Sequence, residues 1–100
     1  MTTDTSNPTE QQPLIMVIDA SLDVPRLLRA RLRTEGLDID GKMTGDEGIA
    51  AVQEAKPSLV LLDLDMPGTD GFEVLRLLKD DAATLNIPVI VLSGLHSPHD

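Results

Sequence analysis

Cysteine, tryptophan and tyrosine are absent, and Phe72 is the single aromatic residue. Without cysteine there are no disulfides and no thiolate-bound metal. That fits the cytoplasm, the expected location. Without aromatic bulk the core has to be built from Leu, Ile, Val and Ala. Cations are scarce: eight Lys and Arg stand against 17 Asp and Glu, for a formal net charge of −9. Such a chain offers no broad basic face, so neither nucleic acid nor an anionic membrane is an expected partner of this segment. Long apolar runs are missing too. Residues 14–18 form the longest, and residues 59–62 are among the next, far short of the roughly 20 that cross a bilayer. The N-terminus lacks the basic and apolar pattern of a signal peptide.

What is present fits one domain. The chain has 100 residues, 41% apolar and 25% charged, as in ordinary globular proteins. Residues 1–13 are Thr, Ser, Asn, Gln, Pro, Asp and Glu after the first Met, the composition of a disordered leader. Order is expected from Leu14. Leu14-Ile15-Met16-Val17-Ile18 is continuous rather than alternating, which suggests a strand buried on both faces. Ser21 can cap the next helix and Pro25 suits its first turn. Val24, Leu27, Leu28 and Leu32 recur at helical spacing, with Arg26, Arg29 and Arg33 as the wet face, until Gly36 stops the helix. A weak strand follows at residues 37–39. Asp46 and Glu47 open a second helix with Ile49, Val52 and Ala55 on its apolar side, ended by Pro57. Residues 59–62 form another doubly buried strand ending at Asp63. Phe72, Leu75 and Leu78 mark a third helix, with Phe72 expected in the core. Residues 88–92 are a fourth strand, ended by Ser93-Gly94.

The order βαβαβαβ implies a doubly wound parallel sheet with right-handed crossovers and helices on both faces. Ligands of such sheets bind outside the carboxyl ends of the strands. Asp19, Asp63 and Ser93 stand at those ends. Neighbouring carboxylates repel, so a site that gathers them usually holds a cation. Oxygen ligands suit Mg²⁺, which keeps several waters and accepts phosphate oxygens. An Asp carboxylate can attack phosphorus and form an acyl phosphate, while a hydroxyl such as Ser93 binds a phosphoryl oxygen. The unaided reading is a Mg²⁺-assisted aspartyl-phosphate site. His96 and His99, in a polar tail, read as solvated.

The segment Leu61-Leu62-Asp63-Leu64-Asp65-Met66-Pro67-Gly68-Thr69-Asp70-Gly71 resembles the phosphoacceptor segment of receiver domains in bacterial two-component response regulators. Ile90-Val91-Leu92-Ser93-Gly94 is similar to that family's strand-four switch segment, and Val17-Ile18-Asp19 lies where the family has an acidic pair. The resemblance implies a flavodoxin-like sheet of order 2-1-3-4-5, of which this chain carries four strands and three helices. It implies phosphorelay signalling: a histidine kinase or phosphotransfer protein passes a phosphoryl group to Asp63. Ser93 would be the switch hydroxyl, and Asp19, Asp63 and Asp65 the Mg²⁺ ligands. The chain itself would not be an enzyme. Residues 80–93 are similar to receivers fused to diguanylate cyclases, and any such output enzyme would lie outside this chain.

Two departures from the family stand out. Ala20 occupies the place of the second acid, so Mg²⁺ is expected to bind weakly, with Asp65 as substitute ligand. Residues 14–100 read as an incomplete receiver, ending before the fifth strand and its phosphate-pairing lysine; Lys42, Lys56 and Lys79 cannot replace that lysine by position. An open edge along residues 88–92, together with uncovered Leu28 and Leu32, makes a homodimer an expected outcome. Two other readings compete. One is a pseudo-receiver, a protein-interaction module that is never phosphorylated. The other is a haloacid-dehalogenase-type phosphatase, suggested by Asp63-Leu64-Asp65.

Overall fold

β1 (Leu14–Ile18) is one of the two inner strands of a four-stranded parallel sheet. The structure, a computed structural model, describes residues 12–92. Most of the expected leader therefore lies outside the described residues, as do Ser93, His96 and His99. β2 (Asp38–Lys42), β3 (Leu59–Leu62) and β4 (Val89–Val91) complete the sheet in the order β2-β1-β3-β4. β2 starts one residue later than the sequence pattern suggested and runs on to Lys42, because pairing with β1 carries it along. Three α-helices connect the strands: α1 (Asp23–Leu32), α2 (Gly45–Ala55) and α3 (Gly71–Asp80).

Local chemistry sets the helix ends. Ser21 acts two residues ahead of α1, where its hydroxyl accepts from the Asp23 N–H at 3.1 Å. A 3₁₀ turn, Arg33–Glu35, tightens the end of α1, and Gly36 closes it at φ 77°. Thr44 caps α2 by accepting from the Glu47 N–H at 3.2 Å, the first half of a capping box. Lys56 ends α2 in the left-handed region, φ 50°, with Pro57 next.

The two faces of the sheet are covered differently. Gly48 lets α2 sit on Ile18: a Cβ there would lie 2.6 Å from Ile18 Cδ1. Gly41 likewise admits Pro25 of α1, whose Cγ would be 2.7 Å from such a Cβ. Val17 pairs with Gly41 and Ile18 with Lys42, and successive strand residues face opposite ways. α1 and α2 therefore lie on opposite faces. The core fills the α2–α3 side, where Met16, Ile18, Val52, Val60, Leu62, Met66, Val74 and Leu78 pack together. It is aliphatic apart from methionine, as the missing aromatics require.

Phe72 corrects one expectation: it is 66% exposed, outside the core. The inward stripe of α3 is Gly71, Val74 and Leu78, at spacings of three and four. Phe72 lies one residue on, about 100° around the helix. Leu27, expected on the inner stripe of α1, is exposed for the same reason.

Candidate functional site

β1 and β3 end level with each other. Ile18 pairs with Leu62 in register, and the Asp63 N–H donates to the Ile18 carbonyl at 2.9 Å. On the other side of β1, the Asp19 N–H donates to the Lys42 carbonyl at 2.9 Å. Asp19 and Asp63 are thus the first residues past the ladder on adjacent strands, whose axes lie roughly 4.8 Å apart. Asp63 is buried, with 5% of its surface exposed, and Asp19 is half-buried.

A buried carboxylate has to be hydrogen-bonded. Asp63 Oδ1 accepts from the Asp65 N–H at 2.9 Å, and Asp19 Oδ1 accepts from the Ser21 N–H at 2.9 Å. Main chain two residues on therefore fixes each acid.

The loop after Asp63 is anchored along its length. Met66 is buried in the core, and Leu64 packs against it. The Thr69 N–H donates to the Met66 carbonyl at 3.2 Å, with Gly68 at φ 72°. That is the positive φ a type II turn requires at its third position. Asp70 caps α3 by accepting from the Phe72 N–H at 3.0 Å. A side chain at Gly71 would put its Cβ 2.6 Å from Leu64 Cα, so α3 starts in direct contact with the loop backbone. The Asp70-Gly71 pair, a dipeptide that commonly marks a turn, is here the start of a helix.

Of the sequence-derived site residues, Asp19 and Asp63 are brought together. Asp65 is exposed and is tied to Asp63 through its N–H. Among the described residues no group of three or more His, Cys, Asp or Glu is arranged to hold a metal ion. Ala20 packs against the core beside Asp19. Two adjacent carboxylates are nonetheless a donor set that fits Mg²⁺, which typically takes one or two carboxylates, several waters and phosphate oxygens. Ser93 lies outside the described residues; the chain just before it reaches this edge, where the Leu92 N–H donates to the Leu62 carbonyl at 2.8 Å. Sequence reasoning had missed Met66 as the loop anchor and Thr44 as a cap. Their signals were an apolar residue among turn formers and a Thr three residues before Glu47.

A doubly wound sheet with an almost buried aspartate ending its third strand in sequence, and a second acid on the neighbouring strand, is the arrangement that the resemblance to receiver domains implies. Residues 15–100 match the response regulator receiver domain, and the chain belongs to that family. It is 40% identical over 86 residues to the response regulator PleD of Caulobacter vibrioides, covering 86% of this chain and 19% of PleD. To the transcriptional regulatory protein ResD of Bacillus subtilis it is 46% identical over 80 residues, 80% of this chain and 32% of ResD. The chain therefore spans between about a fifth and a third of these relatives' lengths.

A similar solved structure is the N-terminal domain of a response regulator receiver protein from Methanoculleus marisnigri JR1. Its TM-score is 0.72 and its identity 35%, over 78% of this chain and 63% of that one. The chemotaxis response regulator CheY4 of Vibrio cholerae shares the fold, with a TM-score of 0.75 at 22% identity, over 87% of this chain and 72% of that one.

The function class follows from the family: a phosphorelay receiver of two-component systems, not itself an enzyme. The phosphatase and pseudo-receiver readings are not favoured. Receiver domains bind Mg²⁺ at an acidic pocket and interact with histidine kinases or phosphotransfer proteins. Among the described residues no helix is long and apolar enough to cross a membrane.

Proposed function

We propose that Asp63 is the phosphate-accepting carboxylate of this receiver and that its donor is a phosphohistidine on a histidine kinase or phosphotransfer protein, in the cytoplasm. The observation that carries this reading is the burial of Asp63 at the end of β3, beside Asp19 and held by the Asp65 N–H. In the transfer, a carboxylate oxygen of Asp63 bonds to phosphorus as the P–N bond of the donor breaks. The imidazole leaves with the electron pair of that bond, and an acyl phosphate remains on Asp63. The main-chain bond to Asp65 holds the carboxylate in one orientation, so little order is lost on reaction. Asp19 and Asp63, with Asp65 as substitute for the acid missing at Ala20, would hold Mg²⁺. When bound, Mg²⁺ screens the carboxylates from the negative phosphoryl group. By its sequence position, Ser93 is assigned as the switch hydroxyl that takes up a phosphoryl oxygen. The receiver is assigned from Leu14 onward, with residues 1–13 as its leader.

The test uses acetyl phosphate with Mg²⁺, and in parallel a phosphorylated phosphotransfer protein, followed by mapping of the adduct by mass spectrometry. One phosphoryl group is expected, on Asp63, and none in Asp63→Asn. An adduct on Asp19 or Asp65 that persists in Asp63→Asn overturns the assignment. No adduct from either donor would restore the pseudo-receiver reading.

A further inference from the structure

Among the described residues, β2 forms one side of the sheet and pairs with β1 alone. Its Asp38 N–H donates to the Pro13 carbonyl, and its Lys42 carbonyl accepts from Asp19. The even-numbered residues of β2 thus turn their main chain toward β1, and by alternation Ile39 and Gly41 turn theirs outward. The chain's own side chains occupy one outward group of each. Arg29 Nη2 donates to the Ile39 carbonyl at 2.6 Å, and the Gly41 N–H donates to Asp40 Oδ1 at 2.9 Å. This edge offers little main chain to an incoming strand. A partner here has to be met by side chains.

Those side chains differ in sign on the two faces. On the α1 side, Arg26, Arg29 and Arg33 line a groove against β2; their spacing of three and four makes one stripe. On the α2 side, Glu47 and Glu54 line a second groove, with the small Ala50 and Ala51 between them. Among the described residues the ion pairs are Lys42 with Asp40, and Arg76 with Glu73 and Asp80. Arg26, Arg33, Glu47 and Glu54 take part in none. Arg26, Arg29 and Arg33, one turn apart, repel one another, and an opposite stripe relieves that repulsion; Glu47 and Glu54 stand two turns apart, with Lys42 the cation in their groove. Both stripes span seven residues, roughly 10.5 Å along a helix.

We propose that the β2 edge with its two flanking stripes is a symmetric interface between two copies of this chain. α1 and α2 lie on opposite faces of the sheet and, as crossover helices between parallel strands, both run against the strand direction. A two-fold axis parallel to the strands sets two β2 edges face to face and exchanges the faces. α1 of one copy then lies alongside α2 of the other, in parallel, twice by symmetry. Each arginine stripe meets a glutamate stripe of equal length. Ala50 and Ala51 keep the acidic face low enough for close approach. The net charge of −9 opposes the encounter, so the dimer forms weakly and depends on concentration.

Sedimentation equilibrium of the chain tests this, with circular dichroism to show that each variant is folded. A reversible monomer–dimer equilibrium is expected, weakened as NaCl rises from about 50 to about 500 mM. Arg26→Glu with Arg33→Glu should raise the dissociation constant roughly tenfold or more, because several exposed pairs become repulsive at once. Glu47→Lys with Glu54→Lys should do the same from the other side. All four changes in one chain should restore the dimer, which a merely damaged fold would not do. A monomer at every concentration overturns the proposal. So does a dimer indifferent to both double variants, or a quadruple variant that stays monomeric.

Discussion

At the scale of single residues, Ala20 decides how well the acidic edge can work. It follows Asp19 directly and packs against the core, where the resemblance to receivers puts a second acid. A methyl group there lends no oxygen to a metal. Ala20→Asp adds a charged ligand next to two existing carboxylates, so Mg²⁺ affinity should rise by at least about tenfold, the scale on which ligand-shell changes act. The same substitution half-buries a third like charge. Without metal the variant should melt below the parent, and saturating Mg²⁺ should recover the loss by mass action. Titration of both proteins by calorimetry, with melts in chelator and in Mg²⁺, checks the pair of effects. Equal Mg²⁺ affinities would mean that another group already fills the place. The identity of Asp63 as a strand-end acid was legible in the sequence, because a doubly apolar run stops there. Its hydrogen bond to the Asp65 N–H was not, since it depends on a loop conformation set by Met66, Gly68 and Gly71.

At the scale of elements, the connection from α3 to β4 shows how a loop places a strand. The last carbonyls of a helix have no partner within it. Thr84, 1% exposed, closes one of them: its hydroxyl donates to the Leu78 carbonyl at 2.6 Å. Lys79 reaches forward from the same helix, its Nζ donating to the carbonyls of Leu85 and Ile87 at 3.2 and 2.9 Å. The loop is tied to the helix it leaves, and β4 enters the sheet in fixed register with β3. Thr84→Val keeps the shape and removes the donor. A buried unsatisfied carbonyl costs about 1–3 kcal/mol, so the unfolding free energy should fall by that amount, read as a lower urea midpoint at unchanged slope, while Thr84→Ser should stay near the parent. A Val variant as stable as the parent would show that Leu78 finds another donor. Strand and helix order were readable because four apolar runs alternate with helical spacing. The burial of Thr84 and the exposure of Phe72 were not: one rests on a helix end meeting a loop, the other on the angle at which α3 meets the sheet.

At the scale of the whole molecule, charge acts in opposite directions on folding and on association. A net −9 on 100 residues repels itself in the compact state. Screening relieves that repulsion, so at pH 7 added NaCl should raise the melting temperature by several degrees, since about 1 kcal/mol moves a domain of this size by 4–8 °C. The same salt should weaken the proposed dimer, which is held by opposite charges. Two carboxylates contribute to the acid limb in a known direction. Glu73 lies below its ordinary value of 4.5, chiefly through the hydrogen bond from Arg76. Asp81 lies below 3.8, chiefly through the Ala83 N–H and then the Gln53 side chain. A lowered folded value means the folded state binds its proton later than the unfolded chain. Their contribution is therefore full above pH 4.5 and is lost as pH falls through and below the ordinary values. Both groups are fully exposed, so the effect is small and shows best as a difference. Arg76→Met should flatten the acid limb below pH 4.5 and leave the salt dependence at pH 7 in the same direction. Melts from pH 7 to pH 3, at low and high salt, separate the two. A melting temperature that falls with added salt at pH 7 would mean that attraction among charges, not repulsion, dominates the folded chain.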